Sequence, residues 1–349
     1  LLISALALTA APVMAATVDV SGFAFGTYIS DHEWHENEAR LAINLDVAHE
    51  GFELRSQVTT QENQPRRLTV GYSAAVTDST SMRVQAGRFV RLDGFYNNVT
   101  DAPSSSGMSL LPLGSYSRRM NTGTFTIMDG VQACAMTNTK LGALEYGVRV
   151  GQALIDDEGN LQREAFDRVA SPHIVSKPAL NYDAYSRLYT ANGAYLVTYN
   201  HYATDFRNAT GGAAEDMMLS MLAQSVTYDT IKLGVLRNIG PWELSGEFHR
   251  GWVSVENGAG TETFSKRADS YYVKAAYDLA DEWVAYGMLS RGKSSTGTKA
   301  HNNTIGLTWD NGDWMVNAEY HVGQGNGWAK YESPVEDWNA YAISIVRRF

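Results

Sequence analysis

The chain is short of several things. It has one cysteine, Cys134, in 349 residues, so an internal disulfide is excluded and stability has to come from architecture. No basic stripe or cluster stands out, and the net charge is −10; both argue against nucleic acid as a partner. Beyond the first sixteen residues no apolar run is long enough for a membrane helix, and the mean hydropathy is −0.26. That excludes a helical membrane protein but not a membrane barrel, whose inner face is polar. No nucleophile and base stand at a spacing that would let them act together, which leaves an enzyme without support.

What the chain does have is alternation. Apolar residues recur with period two, the strand signature: Leu41, Ile43, Leu45 and Val47; Phe52, Leu54 and Val58; Leu68, Val70, Tyr72, Ala74 and Val76. Polar or small residues fill the other parity, including Arg40, Asn44, Asp46, Glu53, Arg55, Gln57, Arg67 and Thr69. The pattern continues through Tyr271 to Tyr277 and Trp314 to Val322, and ends at Tyr341, Ile343, Ile345 and Phe349. One face is apolar and the other wet. Two places are untidy. Val226 and Tyr228 share one parity while Ile231, Leu233 and Val235 share the other, which calls for a bulge or a later strand start, and 217–222 reads as strand or as a short helix. The faces of Val284, Tyr286 and Met288 are open.

The connections alternate in length. Short turns are expected at His49-Glu50-Gly51, Asp78-Ser79-Thr80, near Gly142, Asn192-Gly193, Ile239-Gly240-Pro241, Ala280-Asp281 and Asn311-Gly312. Longer polar loops fall at about 29–38, 61–66, 90–128, 154–186, 206–222, 256–267, 291–302 and 323–337. Seven turns and eight loops join sixteen strands. Tyr72, Tyr146, Trp242, Tyr277, Trp283, Trp309, Trp314 and Trp338 recur near the turns, as an interfacial girdle places them. Residues 1–15, apolar and ending in Val13-Met14-Ala15, read as a signal peptide cleaved after Ala15. The expected fold is therefore all-β: a transmembrane antiparallel β-barrel of about sixteen strands, over 16–349, with short periplasmic turns and longer external loops.

The strand count, the last strand from Trp338 to Phe349, and the entry Gly87-Arg88-Phe89 to the third long loop together resemble the sixteen-stranded porins of Gram-negative outer membranes. In that family a terminal aromatic on an alternating strand is read by the barrel-assembly machinery, and Tyr341, Ile343, Ile345 and Phe349 match that signal. The resemblance implies an outer-membrane location and a homotrimer amid lipid and lipopolysaccharide. The third loop, 90–128, would fold into the lumen as a constriction, although the enterobacterial Pro-Glu-Phe-Gly-Gly loop motif is absent. The implied function is a water-filled channel for passive diffusion of ions and small hydrophilic solutes, with no cofactor. A substrate-selective sugar or anion channel and a surface receptor or adhesin barrel are the alternatives.

Alternation turns Arg40, Arg55, Arg67 and Arg83 inward from four neighbouring strands, a persistent positive wall because arginine does not become neutral. The loop can set Asp93 and Asp101 opposite, and Tyr96, Tyr116, Arg118 and Arg119 can join a solute track. Opposed charges across a narrow pore create a transverse field that selects ions and orients dipoles. The alternative is that these arginines are ordinary solvated lumen residues paired with Glu53 and Asp46. His32-Glu33-Trp34-His35-Glu36 is not the His-Glu-x-x-His pattern and reads as an exposed loop. Asp156 to Asn160 does not fit the calcium-loop spacing and reads as a solvated turn. Cys134 reads as a small buried or lumen-side residue.

Overall fold

A computed structural model describes residues 16–30, 38–60, 65, 67–90, 94–95, 127–153, 174–208, 211–221, 224–297, 299–325 and 337–349. The segment 1–15, His32 to Glu36, Asp93, Tyr96, Asp101, Tyr116, Arg118, Arg119 and Asp156 to Asn160 lie outside the described residues. Strands follow one another as β1 (Thr17–Ile29), β2 (Glu38–His49), β3 (Phe52–Thr59), β4 (Arg67–Thr77), β5 (Thr80–Val90), β6 (Ile127–Thr139), β7 (Gly142–Ala153), β8 (Ile174–Pro178), β9 (Asn181–Thr190) and β10 (Gly193–Asn208). After a helix α1 (Ala213–Met221) come β11 (Ser225–Ile239), β12 (Trp242–Glu256), β13 (Glu262–Ala280), β14 (Trp283–Ser294), β15 (Lys299–Asp310), β16 (Trp314–Gln324) and β17 (Asp337–Arg348).

Each strand pairs antiparallel with its neighbour, and β1 pairs with both β2 and β17, so the sheet closes on itself. Closure matters because an open edge would leave backbone groups unsatisfied in hydrocarbon. Seventeen segments make sixteen staves: β8 and β9 both lie against β10. Pro178, which has no N–H to give the ladder, ends β8, and the Asn181 side chain bridges the break. Its amide donates to the Ala179 carbonyl at 2.9 Å and its oxygen accepts from the Ala203 N–H at 2.8 Å.

The short connections fall at the seven expected turns. At Glu50-Gly51 both residues have positive φ, 47° and 87°, the geometry of a tight two-residue hairpin. At the other end the strands run further into the loops than expected: β13 begins at Glu262, β14 reaches Ser294 and β9 starts at Asn181. In β11 no bulge occurs, for its register with β12 is unbroken from Ser225 to Ile239. Val226 and Tyr228 instead face inward and are buried, at 0% and 3% exposure, while Ile231, Leu233 and Val235 face outward. Tyr286 and Met288 also face inward, and 217–221 is the end of the helix.

The outward face carries the apolar parity, as on Val70, Val84, Val148, Val273, Ile305 and Ile343. Tyr72, Tyr146, Trp242, Trp283 and Trp314 are on it too, with Trp242 and Tyr277 packed at 4.7 Å between ring centroids. Trp338 corrects the expected girdle: it is buried on the inner face, where Gly323 leaves room for its ring. The inner face is not uniformly wet. Phe23, Phe25, Ala42, Met315 and Val346 cluster there near the seam, and Ile29 packs with Trp338 and four alanines.

At the seam Gly22 and Phe349 exchange backbone hydrogen bonds of 2.7 and 3.1 Å. A Cβ on Gly22 would sit 2.6 Å from the Ala42 carbonyl oxygen and 2.7 Å from the Phe349 ring. Gly22→Val is therefore expected to prevent closure, and Phe349→Ala should not rescue it because the backbone clash stays. Comparing the electrophoretic mobility of unheated and boiled samples checks this: the variant should lack the fast, folded band.

Candidate functional site

Inward parity on β2 to β5 brings Arg40, Arg55, Arg67 and Arg83 to one wall of the lumen. In the sheet register Arg55 stands between Asp46 and Thr69, Arg67 beside Gln57, and Arg83 between Ser73 and Cys134. Arg67 is within electrostatic reach of Arg55, Arg83, Asp46 and Glu53. Glu53 ties two of the arginines, at 3.0 Å to Arg55 and 3.8 Å to Arg83, and also accepts from the Gln85 amide. Among side chains described on these four strands, four inward arginines face two inward carboxylates, Asp46 and Glu53. An excess of positive charge remains. Arg40 lies over the Phe25 ring at 5.6 Å.

The basic wall continues onto neighbouring staves, which sequence reasoning missed. Arg149 on β7 donates to Gln132 at 2.7 Å and lies 5.7 Å from both the Phe89 and Tyr185 rings. Arg187 on β9 shares the Tyr185 ring at 5.8 Å. The signal was in the chain, since both occupy the parity opposite Val148, Val150 and Leu188. Cys134 is buried on the inner face, in a recess of about 120 Å³ with Ser73, Ser81, Arg83 and Glu145.

The far wall is built from two copies of one arrangement, glutamate–aromatic–histidine on alternate positions. On β12, His249 Nε2 is 2.6 Å from Glu247, which also accepts from the Tyr272 hydroxyl at 2.9 Å. On β16, His321 Nε2 is 2.8 Å from Glu319, which accepts from the Tyr286 hydroxyl. All four Glu and His side chains are fully buried.

Phe95 links the end of β5 to the far wall. Beyond β5 the chain turns inward at Gly94, which is buried, and the Phe95 N–H donates to Glu247 at 2.5 Å. The Phe95 ring occupies the space that a side chain at Gly234 would need. Counting staves from β5 to β12 gives six of the sixteen, so Phe95 docks on a wall across the lumen from the strand that precedes it. Gly87-Arg88-Phe89 launches it. Gly87 has a φ of +128° and no room for a Cβ beside the Leu68 carbonyl, outward Arg88 is clamped bidentately by Asp129 at 2.9 and 3.0 Å, and Phe89 faces inward under Arg149.

Accessibility then divides the lumen. Lys232, His249, Asn317 and His321 on the far side have 0% exposure, whereas the side chains of Arg55 and Arg83 retain 32% and 29%. Arg55 and Arg83 thus keep accessible surface that these far-side residues lack, while Arg149 and Arg187 are buried. Several inward hydroxyls, those of Thr59, Thr69, Ser245, Ser270 and Ser290, have no protein partner, and such groups need water in a folded protein. Among the described residues no cluster of three or more His, Cys, Asp or Glu is placed to hold a metal.

Comparison with solved structures settles the architecture. The structure superposes on outer-membrane expressed OmpT of Vibrio cholerae with a TM-score of 0.60 at 13% identity, over 96% of this chain and 98% of that one. The fold is that of the sixteen-stranded porins. An anion-selective porin from Comamonas acidovorans gives a TM-score of 0.60 at 13% identity, over 96% and 100% of the two chains. OmpF of Salmonella typhi, in complex with daunomycin, gives 0.58 at 11%, over 95% and 97%. No protein-family model matches the sequence, and no curated protein sequence matches it significantly. The fold is thus shared with these structures at 11–13% sequence identity. Of the third loop that the resemblance implied would fold inward, Gly94 and Phe95 are the described residues, and Phe95 docks on Glu247 inside the barrel. Tyr341, Ile343, Ile345 and Phe349 all face outward on the closing strand or just beyond it.

Proposed function

We propose that the protein is an outer-membrane channel for passive diffusion of ions and small hydrophilic solutes, with a preference for anions set where the third loop faces the arginine wall. The observation that carries this reading is the surface that Arg55 and Arg83 keep accessible on the inner face, across the barrel from the wall where Phe95 docks. A solute beside that surface passes fixed guanidinium charges, and at a narrow point the local field outweighs the net charge of the whole chain. The loop residues Asp93, Asp101, Tyr96, Tyr116, Arg118 and Arg119 belong to the constriction in this reading, and the segment 1–15 is a cleaved export signal.

The same reading makes the protein a homotrimer. One of the Vibrio cholerae OmpT structures is a trimer form, and the outward faces of β2 and β3 offer Leu41, Ile43, Leu45, Phe52 and Val58 for such contact. Insertion is through the barrel-assembly machinery, which reads the strand ending at Phe349.

A potassium chloride gradient across a planar bilayer tests the preference. The reversal potential is expected to move toward the chloride equilibrium potential; movement toward that of potassium would overturn the anion preference.

A further inference from the structure

One polar cluster interrupts the outward face of β9 to β11. Register sets Tyr182 on β9, His201 on β10, Asp229 on β11 and Trp252 on β12 in a single cross-strand row, and Tyr199 lies two residues from His201 on the same face. The height of that row follows from β12. Trp242 and Trp252 are ten residues apart on one face, which is roughly 33 Å along a strand and, at a tilt of about 40°, roughly 25 Å along the membrane normal, the height of an apolar band between aromatic girdles. Trp252 therefore marks the boundary with water at the loop end, and Asp229 stands beside it.

The donors of this row converge on one atom. Asp229 Oδ1 accepts from the Tyr199 hydroxyl at 2.6 Å and lies 2.8 Å from His201 Nδ1. Tyr182 stacks on the His201 ring at 4.5 Å between centroids, and its hydroxyl is within hydrogen-bond reach of Tyr199. Asp129 and Asp269, also outward toward the loop end, are held by Arg88 and by Arg250. Asp229 has no arginine or lysine partner among the described residues, and the side chains of Asp229 and His201 keep 34% and 20% of their surface.

We propose that Tyr182, Tyr199, His201 and Asp229 form a binding site for a ferric ion on the outer surface of the barrel. Phenolate and carboxylate are hard anionic oxygen donors suited to a small trivalent cation, and imidazole nitrogen is a common ligand of iron. Donors about 2 Å from one metal and at right angles around it stand roughly 2.9 Å apart. The spacings of 2.6 and 2.8 Å about Asp229 are close to that. Binding releases the two phenol protons to water, and His201 gives the Nδ1 lone pair with its proton on Nε2. Two phenolates and one carboxylate then cancel the charge of the ion, so the loaded site leaves no net charge at the membrane boundary. Four protein donors leave positions open for water or for a chelator that delivers the ion.

The test uses the full folded protein in neutral detergent micelles, titrated with ferric nitrilotriacetate and read by visible absorption, where iron bound to phenolate gives a charge-transfer band. The band is expected to saturate at one ion per chain. Tyr182→Phe with Tyr199→Phe should abolish it, and Asp229→Asn should weaken ferric binding at least tenfold. Tyr195→Phe, on the same face of β10 but outside the cluster, should leave the band unchanged. Phenylalanine keeps the rings of the girdle, so the double variant should still run as the folded form; should it fail to fold, Tyr199→Phe alone is expected to weaken and shift the band. No band at saturating ferric ion, an equal band in the double variant, or displacement of the iron by equimolar zinc would overturn the assignment. Because the readout is optical and made in micelles, it succeeds or fails independently of any conductance.

Discussion

Replacing Arg55, Arg67 and Arg83 together with glutamine is expected to lower the chloride-to-potassium permeability ratio about tenfold and to turn anion preference into cation preference. At roughly 8 Å in water a unit charge shifts the energy of a passing ion by about 0.5 kcal/mol, favourably for an anion and unfavourably for a cation. The difference between the two is then about 1 kcal/mol per charge, and screening at about 0.1 M salt roughly halves it. Three charges give about 1.4 kcal/mol, a factor of about ten. Reversal follows because Asp46 and Glu53 stay behind on the same wall. Glu53 loses the partners that hold it at 3.0 and 3.8 Å and becomes an open negative site. Reversal potentials under a salt gradient, wild type against variant, read the change. An unaltered potential would mean that the arginines are solvated bystanders and that the path lies elsewhere.

Removing residues 96–120 is expected to at least double the single-channel conductance. A segment with its side chains occupies a strip roughly 10 Å wide, laid across a sixteen-stave lumen of about twice that width, so its loss frees half or more of the section. Phe95, at the start of the loop, is docked on Glu247 inside the barrel. A milder change separates position from bulk. Glu247→Gln keeps the side chain's size and acceptor oxygen but removes its charge, weakening the bonds from Phe95, His249 and Tyr272. Conductance in that variant should flicker between the wild-type level and higher ones as the loop comes away. Steady wild-type conductance in both variants would place the constriction elsewhere.

Much of this architecture was legible in the chain because a barrel wall is governed by one simple rule. Period-two alternation with one face in lipid allows a single inside and outside, so Arg40, Arg55, Arg67 and Arg83 could be assigned inward without coordinates, and turn chemistry such as Asn311-Gly312 set the short ends. The rule failed where the inner face is not wet. Val226, Tyr228, Tyr286, Met288 and Trp338 are apolar or aromatic and inward, so the parity of hydrophobicity no longer reports lipid. Val226 and Tyr228 imitated a register slip for that reason, and Trp338 imitated a girdle residue.

The latch at Glu247 was out of reach for a different reason. It joins residues 152 positions apart, and local pattern carries no information about which stave a loop will meet. What could have been noticed is the repeat: Glu247-Phe248-His249 and Glu319-Tyr320-His321 set the same three chemistries on the same faces of two strands.

The central claim is that the barrel conducts, and single-channel recording tests it most directly. Purified, folded protein added to one side of a planar bilayer in potassium chloride should produce discrete, long-lived current steps that scale linearly with small applied voltages. A trimer would give them in groups of three equal levels. Protein that runs as the folded, heat-modifiable form yet inserts without any discrete steps would contradict the account.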